Sequence, residues 1–223
     1  MKLFFLIFVG VIVLWSLWGI FSSQVEQATF TVVSKTRDYE LRRYTAHIEA
    51  QTTVSGTHME AMREGFTIIA GYIFGGNTSK TSIPMTAPVG SADTSSEKIA
   101  MTAPVVSRAA VSEKVPMTAP VVAAGEGERQ IISFVMPRSY TLDTLPTPND
   151  GRVALVAVPE RTMAAHTYIG YTSQKRTENM KALLLAALAR DGVEVIGTPA
   201  YAGYNAPGTP PWLMRHDILV EVK

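Results

Sequence analysis

Histidine and methionine are the side chains with the widest chemical reach in this sequence. The chain has 223 residues, with four histidines, ten methionines and no cysteine. Imidazole nitrogens carry protons and bind metal ions, and thioether sulfur is a softer metal ligand. The absence of cysteine excludes disulfides, thiolate-bound metals and cysteine nucleophiles.

The sequence lacks the spaced motifs of the common enzyme classes. It contains no Gly-x-Ser-x-Gly, no His-Glu-x-x-His, no phosphate-binding loop and no Gly-x-Gly-x-x-Gly that opens a helix. Each of these motifs places a nucleophile, a metal or a phosphate in the geometry that its chemistry requires. We therefore predict no catalytic residues.

An apolar segment at the N-terminus stands out in the hydropathy pattern. Residues 3–21 contain no charge, and a helix of this length spans about 28 Å, close to the hydrocarbon thickness of a bilayer. Trp15, Trp18 and Phe21 near its end are typical of a membrane interface. Residues 1–23 are therefore predicted to form a transmembrane signal anchor, followed by one domain over residues 24–223.

Two other interpretations of this segment stay open: a signal peptide that is cleaved to release a secreted domain, and a buried core helix. The stretch Ser22-Ser23-Gln24 is a poor cleavage site, and the segment is apolar all round. Lys2 precedes the span and favours a domain on the outer, extracytoplasmic side.

The charge of the remaining chain argues against nucleic acid as a partner. Lys2 is the only charged residue of the first 23, so the remainder has 19 of the 20 basic residues, against 19 acidic ones. A neutral domain without an arginine-rich stripe lacks the basic footprint of a nucleic-acid-binding protein.

Strand and helix patterns alternate along the rest of the chain. Residues 30–54 alternate as half-buried strands do, and Thr57 to Glu60 is a capping box for a first helix. The apolar stripe of this helix is Met59, Met62, Phe66, Ile69 and Ile73. A second helix is predicted at residues 174–190, with Ser173 as its N-cap and a buried face of Met180, Leu183, Leu184, Ala187 and Leu188. Further strands are predicted at 130–136, 153–158, 162–169, 193–200 and 217–222.

This order of elements, strands then a helix then strands, occurs twice. It predicts an α+β fold, in which a distorted antiparallel β-barrel or sheet has two pseudo-symmetric halves with one flanking helix each.

A Met-Thr-Ala-Pro-Val motif occurs three times between residues 81 and 122. The copies begin at Met85, Met101 and Met117, 16 residues apart each time. Alanine before proline is extended and proline donates no ladder hydrogen bond, so each copy is expected to be an edge strand or an extended segment. A regular period also fits a solenoid, but three short units with charged linkers bury no separate core, which favours a series of hairpins.

The motif resembles the hallmark of the SOUL haem-binding family. Other matching stretches follow in order: Tyr39-Glu-Leu-Arg-Arg-Tyr44, Tyr72-Ile-Phe-Gly-Gly-Asn77, Ser133-Phe-Val-Met-Pro137, Tyr201-Ala-Gly-Tyr-Asn205 and Arg215-His-Asp-Ile-Leu-Val-Glu221. The third copy of the motif is expected at the family's usual place, because the strand predicted at 130–136 follows it closely.

The resemblance implies a distorted β-barrel with two flanking helices that binds haem or another tetrapyrrole non-covalently in an apolar cleft. Some members have an iron-ligating histidine just before the second tyrosine of the first matching stretch, and Arg43 stands there in this chain. The candidate iron ligands are therefore His47, four residues further along the same strand, and His166, within an apolar strand.

Five other residues are candidate haem contacts. Met59 and Met62 are thioether candidates, for which core packing is the simpler role. Arg63, Lys175 and Arg176 could pair with propionates, because carboxylates bind cations and helix N-termini; a solvated charge is the simpler role.

Together, the N-terminal segment and the resemblance imply a membrane-anchored domain that binds haem for buffering, transfer or sensing. Two alternatives stay open. One is an envelope interaction or effector-binding domain that holds another hydrophobic small molecule, and Arg43 in place of histidine favours it. The other is an enzyme for small hydrophobic substrates, since a fold does not decide a function.

Overall fold

The computed structural model describes residues 1–22, 26–79, 115–124, 129–205 and 208–223. Within these ranges lie the helices α1 (Lys2–Ser22), α2 (His58–Ile73) and α3 (Gln174–Arg190), and a 3₁₀ turn at Pro211–Leu213. The strands are β1 (Glu26–Gln27), β2 (Phe30–Lys35), β3 (Glu40–Tyr44), β4 (His47–Ser55), β5 (Asn77–Thr78), β6 (Thr118–Ala119), β7 (Val121–Ala124), β8 (Arg129–Val135), β9 (Thr147–Pro148), β10 (Ala154–Val158), β11 (Arg161–Ile169), β12 (Ala200–Gly203) and β13 (Arg215–Glu221). The first two copies of the repeated motif lie outside the described residues.

Nine of the strands form one antiparallel sheet in the order β10-β4-β8-β7-β12-β13-β11-β3-β2. The sheet curls into a half-barrel with β10 and β2 as its two edges. Beside it, β1 pairs with β6 in parallel, and β5 pairs with β9. The predicted α+β fold is thereby confirmed.

The two halves of the sheet repeat one topology. In the first half, β4, α2, β7 and β8 follow one another apart from two-residue strands, and in the second half β11, α3, β12 and β13 do so. In each half the last strand lies between the other two, and β7 meets β12 at the centre. The sheet continues with β10 beyond β4 and with β3 beyond β11. Counted outward from the β7–β12 pair, the two halves therefore have the same strand order.

Polar caps fix where the two flanking helices begin. The Glu60 carboxylate accepts hydrogen bonds from the Thr57 amide and hydroxyl at 3.0 and 2.8 Å. The Ser173 hydroxyl accepts one from the Arg176 amide at 3.3 Å. These bonds satisfy polar groups that the first helical turn leaves without intrahelical partners. Both helix predictions are confirmed.

Each flanking helix covers one half of the sheet. α2 packs Ile69 against Phe134 of β8, and α3 packs Leu184 against Ile218 of β13, all of them fully buried. Truncating a side chain of this kind to alanine costs about 2–5 kcal/mol. Because side chains alternate along a strand, residues such as Leu219 form a third cluster on the opposite, helix-free face.

Two residues were wrongly predicted to lie on the buried faces of the helices. Met59 and Leu183 are 63% and 55% exposed. In α2 the small residues Ala61 and Gly65 are buried instead. A β-carbon at Gly65 would lie 2.4 Å from Ile132 Cγ1, so the glycine lets the helix approach the sheet closely. Because α2 contacts the sheet through these small residues, Met59 lies on the exposed side of the helix.

A strand predicted at residues 193–200 is also wrong. The sheet strand there is β12, which begins at Ala200, and Val195 forms only an isolated bridge with Val222. Pro199 has no amide proton to donate, so the ladder begins after it.

The third copy of the repeated motif reaches the nine-stranded sheet at its last residue, and its Thr118 and Ala119 form β6, which pairs with β1 in a two-stranded sheet. Its last residue, Val121, begins β7, which pairs with β8 on one side and β12 on the other. Pro120 precedes β7, so its missing amide proton interrupts no ladder bond. The Ala119–Pro120 peptide bond is cis. The prediction of an edge strand or an extended segment is therefore wrong at Val121, while Thr118 and Ala119 form a short strand outside the nine-stranded sheet.

The N-terminal helix α1 lies outside the sheet. Lys2–Phe21 has a mean hydropathy of 2.6, and the stretch is long and apolar enough to cross a membrane. Only 6% of this apolar stretch is buried in the structure, which excludes a buried core helix.

Candidate functional site

A cavity of about 540 Å³ opens where β4 begins and where β8 and β10 end. Pockets of about 300–1,000 Å³ are typical of small-molecule sites. Its walls are mostly apolar, with Ile48, Val135, Met136 and Val158 among them. The described residues that line it are 26–29, 45–48, 135–138, 140–142, 157–159 and Thr118.

Prolines open this end of the sheet. Pro137 follows β8 and Pro159 follows β10, and neither has an amide proton with which to continue a ladder. After Pro137 the chain turns back, because the Tyr140 amide donates to the Pro137 carbonyl at 3.1 Å. On the other side, the Thr118 hydroxyl of the third motif copy donates to the Val135 carbonyl. The cavity thus lies between strand ends that proline prevents from pairing further.

His47 lines the cavity, and both of its ring nitrogens are engaged. Nδ1 lies 2.7 Å from the Thr45 carbonyl oxygen, and Nε2 lies 3.1 Å from Glu49 Oε1. Burial alone would lower the pKa of His47, but the Glu49 carboxylate and the Thr45 carbonyl outweigh it and raise the pKa. Two acceptors favour the imidazolium form, in which both nitrogens donate and no lone pair is left for a metal.

A small cleft of about 20 Å³ adjoins the cavity and shares Ala28, His47 and Val135 with it. It is also lined by Glu49 and Arg161, whose charged groups lie 3.4 Å apart. Burial would raise the pKa of Glu49, but its hydrogen bonds with His47 and Gln51 and the charge of Arg161 outweigh burial and lower it. The cleft is about large enough for one water molecule or one ligand atom.

One buried donor of a residue that lines this cleft, the Arg161 Nε–H, has no hydrogen bond to the described residues. Because burying an unpaired polar group costs free energy, an acceptor atom of a ligand or a water would be stabilised there. The cavity and cleft together can therefore hold an apolar body with one polar end.

In the second half of the sheet, the helix-free face is filled around Asp217. Its carboxylate, fully buried, accepts hydrogen bonds from Arg42 and Thr167 at 2.6 Å, from Tyr204 at 2.7 Å and from Arg215 at 2.9 Å. Burial would raise the pKa of Asp217, but the charges of Arg215 and Arg42 outweigh it and lower the pKa. Oδ2 accepts three of these hydrogen bonds and Oδ1 accepts the one from Thr167, so both oxygens of the buried carboxylate have donors and the network is structural.

His166 lies in a different place from His47. It lines a separate cleft of about 170 Å³ beside the turn between β2 and β3, and its Nδ1 lies 2.6 Å from the Asp38 carbonyl oxygen. The two sets of described lining residues do not overlap. The two histidines therefore do not line one cavity.

The other candidate contacts do not line the large cavity. Met59 and Arg63 are exposed on α2, and Met62 is half-buried between the α2 and α3 clusters. Lys175 is exposed, and Arg176 donates to the Ile169 and Tyr171 carbonyls. Arg43, at the family's histidine position, is 54% exposed and lies 3.9 Å from Glu160.

Sequence reasoning missed most of the cavity walls, although a signal for them was present. Thr118 belongs to the third motif copy, and Val135, Met136 and Pro137 belong to the matching stretch 133–137. Glu49 and Arg161 had no such signal, because 112 residues separate them. Among the described residues there is no group of three or more histidine, aspartate or glutamate side chains that could hold a metal ion.

Solved structures share this fold. The C-terminal domain of EcmrR is similar with a TM-score of 0.54 at 10% identity, over 83% of this chain and 98% of that chain. EcmrR in a cryo-EM complex with DNA gives 0.51 at 11% identity, over 83% and 57%. A hydrolase from Listeria innocua gives 0.47 at 11% identity, over 86% and 94%. None of the curated proteins compared with the chain matches it. At these identities the two EcmrR structures show the fold alone.

The sequence itself matches a family model along nearly all of the chain after α1. The model described as SOUL heme-binding protein matches residues 25–94 and again residues 90–221. The second match contains the third motif copy and the stretch 133–137, which wall the cavity. This chain therefore belongs to the SOUL haem-binding protein family.

Proposed function

We propose that this chain is a membrane-anchored protein that binds haem or a related tetrapyrrole non-covalently in the large cavity, without catalysis. The observation that best supports this proposal is an apolar cavity of about 540 Å³. Thr118 and residues 135–137, which belong to stretches typical of the family, line it. Apolar walls favour a flat macrocycle because its burial removes apolar surface from water. Reversible binding of this kind serves buffering, transfer or sensing.

Haem is the cofactor that the family implies. The apolar walls of the cavity suit its macrocycle, whereas the described residues of the cavity offer no free histidine nitrogen to its iron. His47 has both nitrogens in hydrogen bonds. Met136, part of the core cluster under α2, lines the cavity as an apolar wall residue, and the cation of Arg138 at the rim, 2.9 Å from Glu26, could contact a propionate. When bound, haem would supply iron chemistry; the protein's residues supply apolar enclosure and the polar cleft beside Arg161.

Titration of the full chain with hemin in detergent tests the site. We expect a saturable shift of the Soret band. Ala157→Trp should weaken binding at least about tenfold, or about 1.4 kcal/mol, because Ala157 lines the cavity. The matched control is Ala154→Trp, on the same strand but not among the lining residues. Equal binding by all three proteins would rule out this cavity.

A second titration separates capture of the macrocycle from ligation of iron. We expect iron-free protoporphyrin to bind about as tightly as hemin, and His47→Ala to leave the Soret maximum of bound hemin unchanged. Much tighter binding of hemin, together with loss of the spectral shift in His47→Ala, would instead make His47 an iron ligand.

A second candidate function is capture of another hydrophobic small molecule. The observation that favours it is the absence of a free imidazole from the cavity walls that the structure describes, with Arg43 exposed outside them. Native mass spectrometry of the purified full chain tests it: a co-purified organic ligand other than a tetrapyrrole, displaced in Ala157→Trp, would support this candidate over haem.

We also propose that α1 anchors the chain with the domain on the outer side of the membrane. The apolar length of α1 and the positive charge of Lys2 support this topology. The chain has no cysteine, so Lys223→Cys provides a single label site. A membrane-impermeant maleimide should label it in intact cells. The intact mass then tells an anchor from a cleaved signal peptide.

A further inference from the structure

The last turns of α1 lie against the loop that precedes β13. The Trp15 indole N–H donates to the Gly208 carbonyl at 2.8 Å, and its ring meets that of Trp212 edge to face at 5.4 Å between centroids. A β-carbon at Gly19 would lie 2.7 Å from Pro210 Cδ, so the glycine allows a close approach. α1 and this loop therefore form a specific contact.

The position of this contact along α1 determines how deep the loop lies relative to the membrane. Trp15 lies seven residues before Ser22, where α1 ends, which is about 10 Å along the helix axis. If the helix left the bilayer at Trp15, its apolar residues 3–14 would cover only about 18 Å of a hydrocarbon core about 30 Å thick. A fully embedded α1 instead brings the loop to the membrane.

The composition of the loop suits such a place. Residues 208–214, Gly-Thr-Pro-Pro-Trp-Leu-Met, carry no charge, and Trp212 is 47% exposed. The turn after β11 lies beside the loop, because the Gly170 amide donates to the Met214 carbonyl at 3.0 Å. That turn exposes Ile169 and Tyr171. We call residues 169–171 and 208–214 together the docking edge. Exposed tryptophan and tyrosine are enriched where proteins meet the lipid interface.

Cations border the docking edge. The Arg176 guanidinium donates to the Ile169 carbonyl at 2.9 Å and to the Tyr171 carbonyl, and its neighbour Lys175 is exposed. Basic side chains beside an apolar surface are attracted to the phosphates of anionic lipids.

We propose that the docking edge inserts into the lipid interface beside α1 and holds the domain against the membrane in one orientation. This rests on the proposed anchoring of α1 in the bilayer. It also gives Lys175 and Arg176 a partner, the lipid phosphate, where the sequence had predicted a haem propionate.

Site-directed spin labelling of the full chain tests the docking edge. The chain is reconstituted in vesicles of phosphatidylcholine and phosphatidylglycerol, and each variant, Tyr171→Cys, Leu14→Cys or Lys223→Cys, carries one label. The oxygen accessibility of the label at 171, relative to its accessibility to a water-soluble nickel complex, should be several-fold higher than at 223. Lys223 follows β13 at the end opposite to the docking edge, and the exposed Leu14 on α1 reports the anchor itself.

The outcomes separate the docking edge from the anchor. A lipid profile at Leu14 with an aqueous profile at Tyr171 overturns the docking edge and leaves the anchor intact. An aqueous profile at Leu14 overturns the anchor. In the Tyr171→Cys background, Trp212→Ser should return the label to water while circular dichroism stays unchanged; a label still in lipid would assign insertion to α1 alone and overturn the docking edge.

Discussion

In the first half of the sheet the helix-free face ends at an open cavity beside His47, whereas in the second half the same face is closed around Asp217. Both halves have the same strand–helix–strand–strand order. Beside the cavity the Arg161 Nε–H, brought from the second half, has no hydrogen bond to the described residues, whereas both carboxylate oxygens of Asp217 accept hydrogen bonds.

The difference teaches how one topology supports two tasks. A buried and satisfied polar network fixes a single packing of the strands around it. A cavity with an unpaired donor lacks some packing contacts, and the donor remains available for a hydrogen bond to a ligand. We therefore expect the second half to act as the rigid support on which the first half keeps its cavity open.

Breaking the Asp217 network should have the largest effect. Asp217→Asn removes the fully buried one of the two carboxylates that pair with Arg42, which is 3% exposed, and leaves Glu40 at 2.8 Å. Loss of one partner of a buried ion pair costs about 3–5 kcal/mol. We expect this loss in the free energy of unfolding from urea denaturation. Asp150→Asn, in an exposed pair with Arg152, is the control and should change little; equal losses in both variants would contradict a special role of the buried network.

The approach of α2 to the sheet offers a second, smaller test. Gly65→Ala would place a β-carbon 2.4 Å from Ile132 Cγ1, and overpacking of this kind costs about 1–3 kcal/mol. Gly71→Ala in the same helix meets nothing within 4 Å and should gain up to about 1 kcal/mol from helix propensity. Opposite shifts of the thermal midpoint are expected; the same sign for both would show that α2 contacts β8 less closely.

The sequence allowed the helices to be predicted better than the site. Helix periodicity and caps are local, so Ser173 and the end of α2 before Gly75 followed from a few neighbouring residues. Met59 failed because Gly65 sets the contact face, and a glycine carries no hydropathy signal. Pro199 was the local signal that should have moved the last-but-one strand to Ala200.

Of the seven candidate site residues, the structure places His47 in the large cavity. It was chosen for its imidazole, yet its neighbours Glu49 and Arg161 determine what that imidazole can do. Arg161 comes to Glu49 only when the two halves curl together, which no local pattern reports. The cavity walls, in contrast, coincide with stretches of the family resemblance.

Histidine titration extends the comparison of the two halves with the smallest expected effect. His47 has a raised pKa, with burial outweighed by Glu49 and Thr45, so it stabilises the fold fully below about pH 6.5, its unfolded value. This stabilisation is lost as pH rises through the folded pKa.

His216, in the second half, has the opposite sign. Burial lowers its pKa, so the unfolded state takes up a proton first as pH falls below about 6.5, and stability decreases there. NMR titration of the imidazole protons should give midpoints on either side of 6.5. In urea unfolding at a series of pH values, His47→Gln should flatten the alkaline side of the stability profile and His216→Gln the acid side. Coinciding midpoints would contradict this contrast between a protonated His47 beside the open cavity and a neutral, buried His216 in the second half.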